Sequence, residues 1–296
     1  MNSSGGEKLK RVLGISASSR VWGNCESAVK QVLISAREAG SSEEFLRLSD
    51  LHIEPCRGCF TCAVSGKACP IEDDLHLLAE RSASSDALVL AAPVYFMGPP
   101  AVLVGAIDRL LTMAHSGHLV ARARPAVTLI IMGNREWRGV ARPFVNMAAA
   151  LLGFSVVRSM SLTAQGPGEI IADTGVVDDL RVMGKALAEG GSLIRRDTGA
   201  ACPTCGNDCF RIEPPLVVCP ICGDSADLDS YIKQRRFVST GGEVRWGLAW
   251  LARHIDSWIG PSVATFRQRR RQVLQGLQSL KQRYSLNGER GKADVQ

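Results

Sequence analysis

A chain of 296 residues with 46% hydrophobic side chains can build one α/β domain of ordinary size plus something smaller. Residues Met1 to Lys10 are polar and no run approaches the roughly 18 apolar residues of a membrane span, so a cytoplasmic chain without leader or transmembrane segment is expected. The net charge of +6 is uneven: from Lys233 onward 13 Lys and Arg face 4 Asp and Glu, and the remainder holds 22 against 25, an asymmetry that concerns the tail's partners and not the fold.

Lys10 to Ile15 is a short β-rich run and predicts a first strand. It leads directly into Ser16-Ala17-Ser18-Ser19-Arg20-Val21-Trp22-Gly23-Asn24. A helix follows, with Ala28, Val29, Val32, Leu33 and Ala36 on one face. A strand, a small polar loop and a helix N-terminus together make an anion site, because backbone N–H groups and the helix dipole point at the ligand. Serine hydroxyls add donors, and Arg20 adds a fork suited to phosphate oxygens. The pattern is neither a Walker A loop nor the dinucleotide glycine fingerprint.

Phe45 to Leu51 predicts a second strand, and the cysteines follow it: Cys56, Cys59, Cys62 and Cys69, spaced C-x2-C-x2-C-x6-C. Four thiolates in one loop can wrap a single soft-metal centre, which selects iron–sulfur, zinc or copper(I) over hard cations. Gly58 relieves crowding between the close pairs, and Pro70 resembles the C-P ending of bacterial ferredoxin runs. A [4Fe–4S] cluster is the favoured reading. Zinc, which more often uses two separated knuckles, comes next, and disulfides, which need an oxidising compartment, come last.

Ile71 to Asp74 leads into a helix with Asp73 or Asp74 as N-cap and Leu75, Leu77, Leu78 and Ala79 on its apolar face. Ala87 to Ala92 is apolar at every position, as a central parallel strand should be. Pro93-Val94-Tyr95-Phe96-Met97-Gly98-Pro99-Pro100 interrupts, before a helix through Val102, Leu103, Ala106, Ile107 and Leu110. Further elements are expected at 127–132 (strand), 140–152 (helix), 154–160 (strand) and 177–193 (helix). Five β–α repeats with apolar strands predict an open, doubly wound parallel sheet. Ligands of such sheets sit beyond the carboxyl ends of the strands. The serine loop, the cysteine loop and the Tyr95 loop all leave those ends, which sets a metal centre beside an anionic, flavin-like ligand.

Residues 10 to about 195 resemble the flavodoxin-like NAD(P)H-dependent FMN reductase superfamily. Ser16-Ala17-Ser18-Ser19-Arg20 with Asn24 is similar to its phosphate loop, and Pro93-Val94-Tyr95-Phe96 with Ile107-Asp108-Arg109 is similar to its flavin-ring loop and the helix behind it. With the four-cysteine motif, the chain resembles the iron–sulfur flavoproteins of anaerobes. Ala17, Ser19, Cys25 and Val104 stand where glycine, proline, threonine and lysine are usual. The resemblance implies FMN bound by Ser16, Ser18, Arg20, Asn24, Pro93, Val94, Tyr95 and Phe96, electron passage between cluster and FMN, and a homo-oligomer with flavin near subunit contacts.

Past Arg196 the character changes. Cys202-Pro203-Thr204-Cys205-Gly206 and Cys219-Pro220-Ile221-Cys222-Gly223 are two C-P-x-C-G knuckles joined by a short hairpin, a tetrahedral four-thiolate site. They resemble zinc ribbons and rubredoxin-like domains. Zinc is preferred and iron is the alternative, because no aromatic surrounds the first knuckle in sequence. Cys25 and Cys209 are expected to be bystanders. Trp246 to Trp258 predicts an amphipathic helix broken by Gly260-Pro261, Val263 to Tyr284 a second helix, and disorder is expected after Leu286. The expected domains are 1–196 (FMN and cluster), 197–230 (knuckle module) and 231–296 (basic helical tail).

The leading function is an electron-transfer flavoenzyme fed by a ferredoxin-like donor. Two alternatives stand beside it: an NAD(P)H-dependent FMN or quinone reductase with structural cysteines, and a redox-sensing protein that binds a partner or nucleic acid. The tail shows no base-contact motif, so nucleic acid is not expected.

Overall fold

The computed structural model describes residues 9–115, 124–190, 199–241, 245 and 252–293, without the side chains of 111–115, 281 and 283–293. The chain forms two compact units, Met1–Leu251 and Ala252–Gln296.

In the first unit, β1 (Arg11–Ser16), α1 (Asn24–Glu38), β2 (Ser42–Arg47), α2 (Thr61–Ser65), α3 (Leu75–Ala83), β3 (Ala87–Pro93), α4 (Ala101–His115), β4 (Arg124–Met132), α5 (Ala141–Leu151), β5 (Phe154–Thr163) and α6 (Thr174–Glu189) follow in order. The five strands are parallel in the order β2-β1-β3-β4-β5, a flavodoxin-like doubly wound sheet. Strand alternation divides the core in two. Leu13, Ile15, Leu88 and Leu90 face α3, α4 and α5, while Val12, Ala87 and Val89 face α1 and α6. Gly184 lets α6 approach α1, for a Cβ there would lie 2.2 Å from the Val32 carbonyl oxygen.

The second strand lies earlier than expected. It spans Ser42–Arg47, and Leu48–Asp50 is a 3₁₀ turn. It is the sheet's edge, where half-buried polar residues such as Glu43 and Glu44 suffice and the apolar signal fades. At the amino end of the sheet, buried Arg124 donates to the carbonyls of Ser85, Leu152 and Gly153, closing the ends of α3 and α5.

The knuckle module belongs to the same unit. It carries β6 (Arg211–Glu213), β7 (Leu216–Val218) and β8 (Ser225–Asp227) as an antiparallel sheet, then α7 (Leu228–Gln234).

In the second unit, Ile255–Ile259 winds as a π turn that continues into α8 (Gly260–Ala293). Gly260-Pro261 therefore does not break the helix. The widened turn just before Pro261 absorbs its missing N–H. Helical backbone also continues past Leu286 to Ala293, in a stretch free of further proline. The expected helix segment 246–251 and residues 191–193 lie outside the described residues. Among the described residues, no helix is long and apolar enough to cross a membrane.

Candidate functional site

Strand order reverses between β1 and β3, and the loops leaving these strands are the serine loop and the Tyr95 loop. The 3₁₀ turn after β2 releases the cysteine loop at the same edge.

The serine loop turns on its own hydroxyls. Ser16 and Ser18 are buried; the Ser18 amide donates to Ser16 Oγ at 3.4 Å and the Arg20 amide to Ser18 Oγ at 3.2 Å. Gly23 is the N-cap of α1 and offers no side chain to the helix terminus. The first helical bond is Ser27 N–H to the Gly23 carbonyl, so the amides of residues 24–26 are the usual orphan donors of a helix start. This donor set, with exposed Arg20 beside it, suits a phosphate.

Asn24 is engaged elsewhere. Its amide donates to the Gly166 carbonyl at 2.8 Å and its oxygen accepts from the Ile170 amide at 3.1 Å, which fastens the loop after β5 to the serine loop. Sequence inspection also missed Glu26. This buried carboxylate accepts from the Trp22 amide, Lys30 and Arg47. Burial pushes against its charge, but these bonds outweigh it and hold its pKa below the usual carboxylate range. Cys25 is a buried helix residue whose thiol burial pushes up to about 12.

The Tyr95 loop is a tight turn in which Tyr95 and Gly98 exchange backbone bonds of 2.9 Å. Phe96 and Met97 at its tip have φ of 45° and 64°, the mirror-image turn conformation that bulky residues rarely adopt. Phe96 is 91% exposed and Tyr95 51%, whereas Pro93 and Val94 are half-buried. The next loop braces the turn. Val140 N–H donates to the Met97 carbonyl at 2.8 Å, and Gly139 (φ 45°) is required there, since a Cβ would lie 2.0 Å from that oxygen. The Phe96 and Trp137 rings are 6.5 Å apart. An exposed apolar rim of this kind suits a flat aromatic ligand.

In the cysteine loop, Gly58, Phe60 and Gly66 take positive φ around the short α2. Cys56 and Cys59 are exposed, and Cys62 and Cys69 are half-buried. Hydrogen bonds from Thr61 lower the Cys59 pKa; burial, then the neighbouring Cys69, raises that of Cys62. The ends of the loop are fixed by Asp73, whose carboxylate accepts from the Glu54 amide at 2.8 Å and the Leu75 amide at 3.2 Å and pairs with buried Arg109. Asp74 is the N-cap residue of α3, but its carboxylate accepts from the His52 amide at 2.7 Å.

The knuckles are two copies of one turn. Cys202 N–H donates to the Asn207 carbonyl and Gly206 N–H to Cys202, while Cys219 N–H donates to the Asp224 carbonyl and Gly223 N–H to Cys219. Gly206 and Gly223 supply φ of 75° and 82°. The ligand atoms of Cys202, Cys205, Cys219 and Cys222 lie within 4.8 Å of one another, and all four residues are buried. Cys202 and Cys222 sulfurs are 3.5 Å apart and Cys205 and Cys219 sulfurs 3.6 Å. Four-coordinate thiolates at a metal–sulfur distance of 2.3 Å would be about 3.8 Å apart, so the set fits one tetrahedral ion. Their mutual hydrogen bonds pull the Cys219 pKa down and push that of Cys205 up. Exposed Cys209 is outside the set.

The first knuckle does have aromatic company. Phe237 is buried in one cluster with the four cysteines, Phe210 and Tyr231 pack against that cluster, and Phe210 is stacked on Phe237 at 4.9 Å. The module joins the sheet domain through Asn146, which donates to the Cys205 carbonyl at 2.8 Å and accepts from Thr128, and through the Arg138–Asp208 pair at 2.7 Å.

The family model described as NADPH-dependent FMN reductase matches residues 10–167. The chain is 39% identical over 99 residues to an iron–sulfur flavoprotein of Methanocaldococcus jannaschii, covering 33% of this chain and 51% of that protein. It is 29% identical over 126 residues to an iron–sulfur flavoprotein of Methanosarcina thermophila, covering 43% and 65%. The chain thus spans about half to two thirds of the length of these curated relatives. Among solved structures, a flavone reductase shares the fold with a TM-score of 0.68 at 18% identity, over 91% of this chain and 97% of that one.

Proposed function

The chain belongs to the NADPH-dependent FMN reductase family, and from that premise we propose that it is an electron-transfer flavoenzyme pairing FMN with a [4Fe–4S] cluster. The observation that carries the reading is the shared edge: the four-cysteine loop follows β2, beside the serine and Tyr95 loops of β1 and β3. Bound there, FMN would exchange one or two electrons and the cluster one, which couples a one-electron donor to two-electron chemistry.

The chain's own residues bind and orient. Ser16, Ser18, Arg20 and the α1 amides would hold the phosphate, with Asn24 fixing the wall behind them. Pro93, Val94, Tyr95 and Phe96 would line the ring. Cys56, Cys59, Cys62 and Cys69 would hold the cluster. The four thiols stand in one loop, two exposed and two half-buried, a soft donor set of the kind that holds an iron–sulfur cluster. The knuckle quartet is a structural site for one zinc or iron. The aromatic packing of Phe210, Tyr231 and Phe237 removes the sequence argument against iron. A ferredoxin-like donor, a reducing cytoplasm and a homo-oligomer covering the exposed Phe96 and Trp137 complete the reading.

The test is anaerobic stopped-flow reduction of protein assayed for iron, sulfide and flavin, with reduced ferredoxin or NADPH, in wild type and Cys59→Ala. Ferredoxin should reduce the cluster first and the flavin second, and the variant's flavin far more slowly. If NADPH reduces the flavin rapidly and the variant keeps that rate, the protein is a direct NAD(P)H:flavin reductase. Arg20→Ala should weaken FMN binding about tenfold or more, a charge-assisted bond being worth roughly 1.5–3 kcal/mol, and leave riboflavin binding unchanged. Equal losses for both flavins would misplace the phosphate.

A further inference from the structure

Arg109 lies on α4, the helix that follows the Tyr95 loop in the chain, and is 3% exposed. Its guanidinium reaches both ends of the cysteine loop. Nη1 donates to the Glu54 carbonyl at 3.0 Å and to the Asp73 carboxylate; Nη2 donates to the Ile71 carbonyl at 3.5 Å and to Cys69 Sγ at 3.5 Å. Nε is buried and has no hydrogen-bond partner. Neither the family match nor the cysteine spacing assigns this residue a role toward the cysteines.

We propose that Arg109 is a positioning residue for the iron–sulfur cluster, which fixes the Cys69 ligand and raises the cluster's reduction potential. The inference rests on the cluster reading given above.

Arg109 acts in two ways. The first is geometric. One planar, multidentate cation ties residue 54 before the first cysteine and residues 69, 71 and 73 at the end of the loop to a single helix. The two half-loops are therefore held in register by α4, the helix that also follows the Tyr95 loop. The second is electrostatic. Taking up one electron adds one negative charge to the cluster and its thiolates. Hydrogen bonds to cluster sulfurs, net charge and burial set the potential of such centres. A charge-assisted N–H donor on a ligand sulfur favours the more negative, reduced state. Asp73 pairs with the same guanidinium and opposes the effect at longer range. Arg109 remains the nearer of the two, since it contacts the sulfur itself.

The two members of the pair should therefore move the potential in opposite directions, which a merely structural ion pair would not do. Arg109→Lys keeps a charge but not the multiple reach. Arg109→Gln combined with Asp73→Asn leaves no unpaired buried charge, so it remains measurable if Arg109→Gln alone fails to fold. Asp73→Asn alone removes the counter-charge in a similar volume. Each full-length protein is prepared anaerobically and assayed for iron, sulfide and flavin. The cluster is then titrated with dithionite and mediators, followed by electron paramagnetic resonance.

The double variant should shift to lower potential by about a tenfold change in the one-electron equilibrium, ~59 mV. Arg109→Lys should shift the same way by less, and Asp73→Asn upward. Loss of cluster from folded Arg109 variants, with flavin retained, would equally support the positioning role. A full cluster at unchanged potential in all three variants overturns the proposal and leaves the cluster reading standing. Wild-type protein without iron or sulfide overturns both.

Discussion

The two cysteine quartets differ in every physical respect except ligand type. In the knuckles the sulfurs approach to 3.5 and 3.6 Å, all four cysteines are buried, and they share one apolar cluster with Phe237. In the loop, Cys56 and Cys59 are exposed, and the loop ends are held by an ion pair that does not depend on the sulfurs closing together. The first arrangement would make metal binding and folding one event. The second puts the donor set on a scaffold that is already fixed, where a centre can meet solvent and partners. On the function proposed above, a structural site and an electron-transfer site would thus differ in how the fold depends on each.

The sharpest way to break this comparison is to remove metal. Exhaustive chelation of the full chain should abolish hydrogen-exchange protection across β6–β8 and keep it in β1, β3 and β4. Structural thiolate sites contribute apparent free energies of roughly 10–16 kcal/mol to small modules. Unchanged protection in β6–β8 would mean that the module folds without an ion.

Cutting the module away is the next largest test. A chain ending within 191–198 should keep its flavin and cluster spectra. It should lose about 0.5–1.5 kcal/mol of unfolding free energy, because Asn146 exchanges the Cys205 carbonyl for water. Asn146→Ala in the full chain should cost more, about 1–3 kcal/mol by denaturant titration, because Thr128 and the Cys205 carbonyl stay buried without their partner. Loss of flavin and cluster on truncation would make the module integral to the site.

For the loop the expectation reverses. Cys59→Ala should remove iron and sulfide but change thermal stability by no more than about 1 kcal/mol, since the side chain is exposed and the clasp remains. A larger destabilisation would make the loop quartet structural after all.

Acid gives the finest comparison. Burial raises the Asp73 pKa, but Arg109 and the Glu54 and Leu75 amides outweigh it and bring the net shift down. The stability this supplies is fully present above the unfolded value of about 3.9 and is lost as pH falls through the lowered folded value. Stability should therefore hold to about pH 4 and fall below it. Asp73→Asn should lower the plateau and flatten that acid limb, whereas an unchanged acid limb would show that the pair does not load the fold.

Much of this was legible in sequence, for local reasons. The apolar runs of β3 and β4, the face of α1 and the spacing of both quartets each announce themselves within a few residues. The edge strand β2 did not, because a half-buried strand needs no apolar run. The phosphate-loop reading of Asn24 met a different difficulty: its partners lie 142 and 146 residues away and no local pattern names them. The Arg109–Asp73 pair spans 36 residues, and Asp73 looked like an N-cap because it does accept from Leu75. Phe237 stands too far along the chain from the first knuckle to be read as its packing partner. Pro261 suggested a break because a π turn is invisible in composition.

The clasp between Glu54, Asp73 and Arg109 also has a consequence for chain entropy. Eighteen residues lie between Glu54 and Asp73. The length-dependent part of closing such a loop is about 2.6 kcal/mol, and the clasp meets it through contacts that involve no metal. Doubling the loop would add only ~0.6 kcal/mol. The stretch between the two anchors is therefore a cassette, whose length and cysteine spacing can be rewritten with little effect on the sheet that carries it.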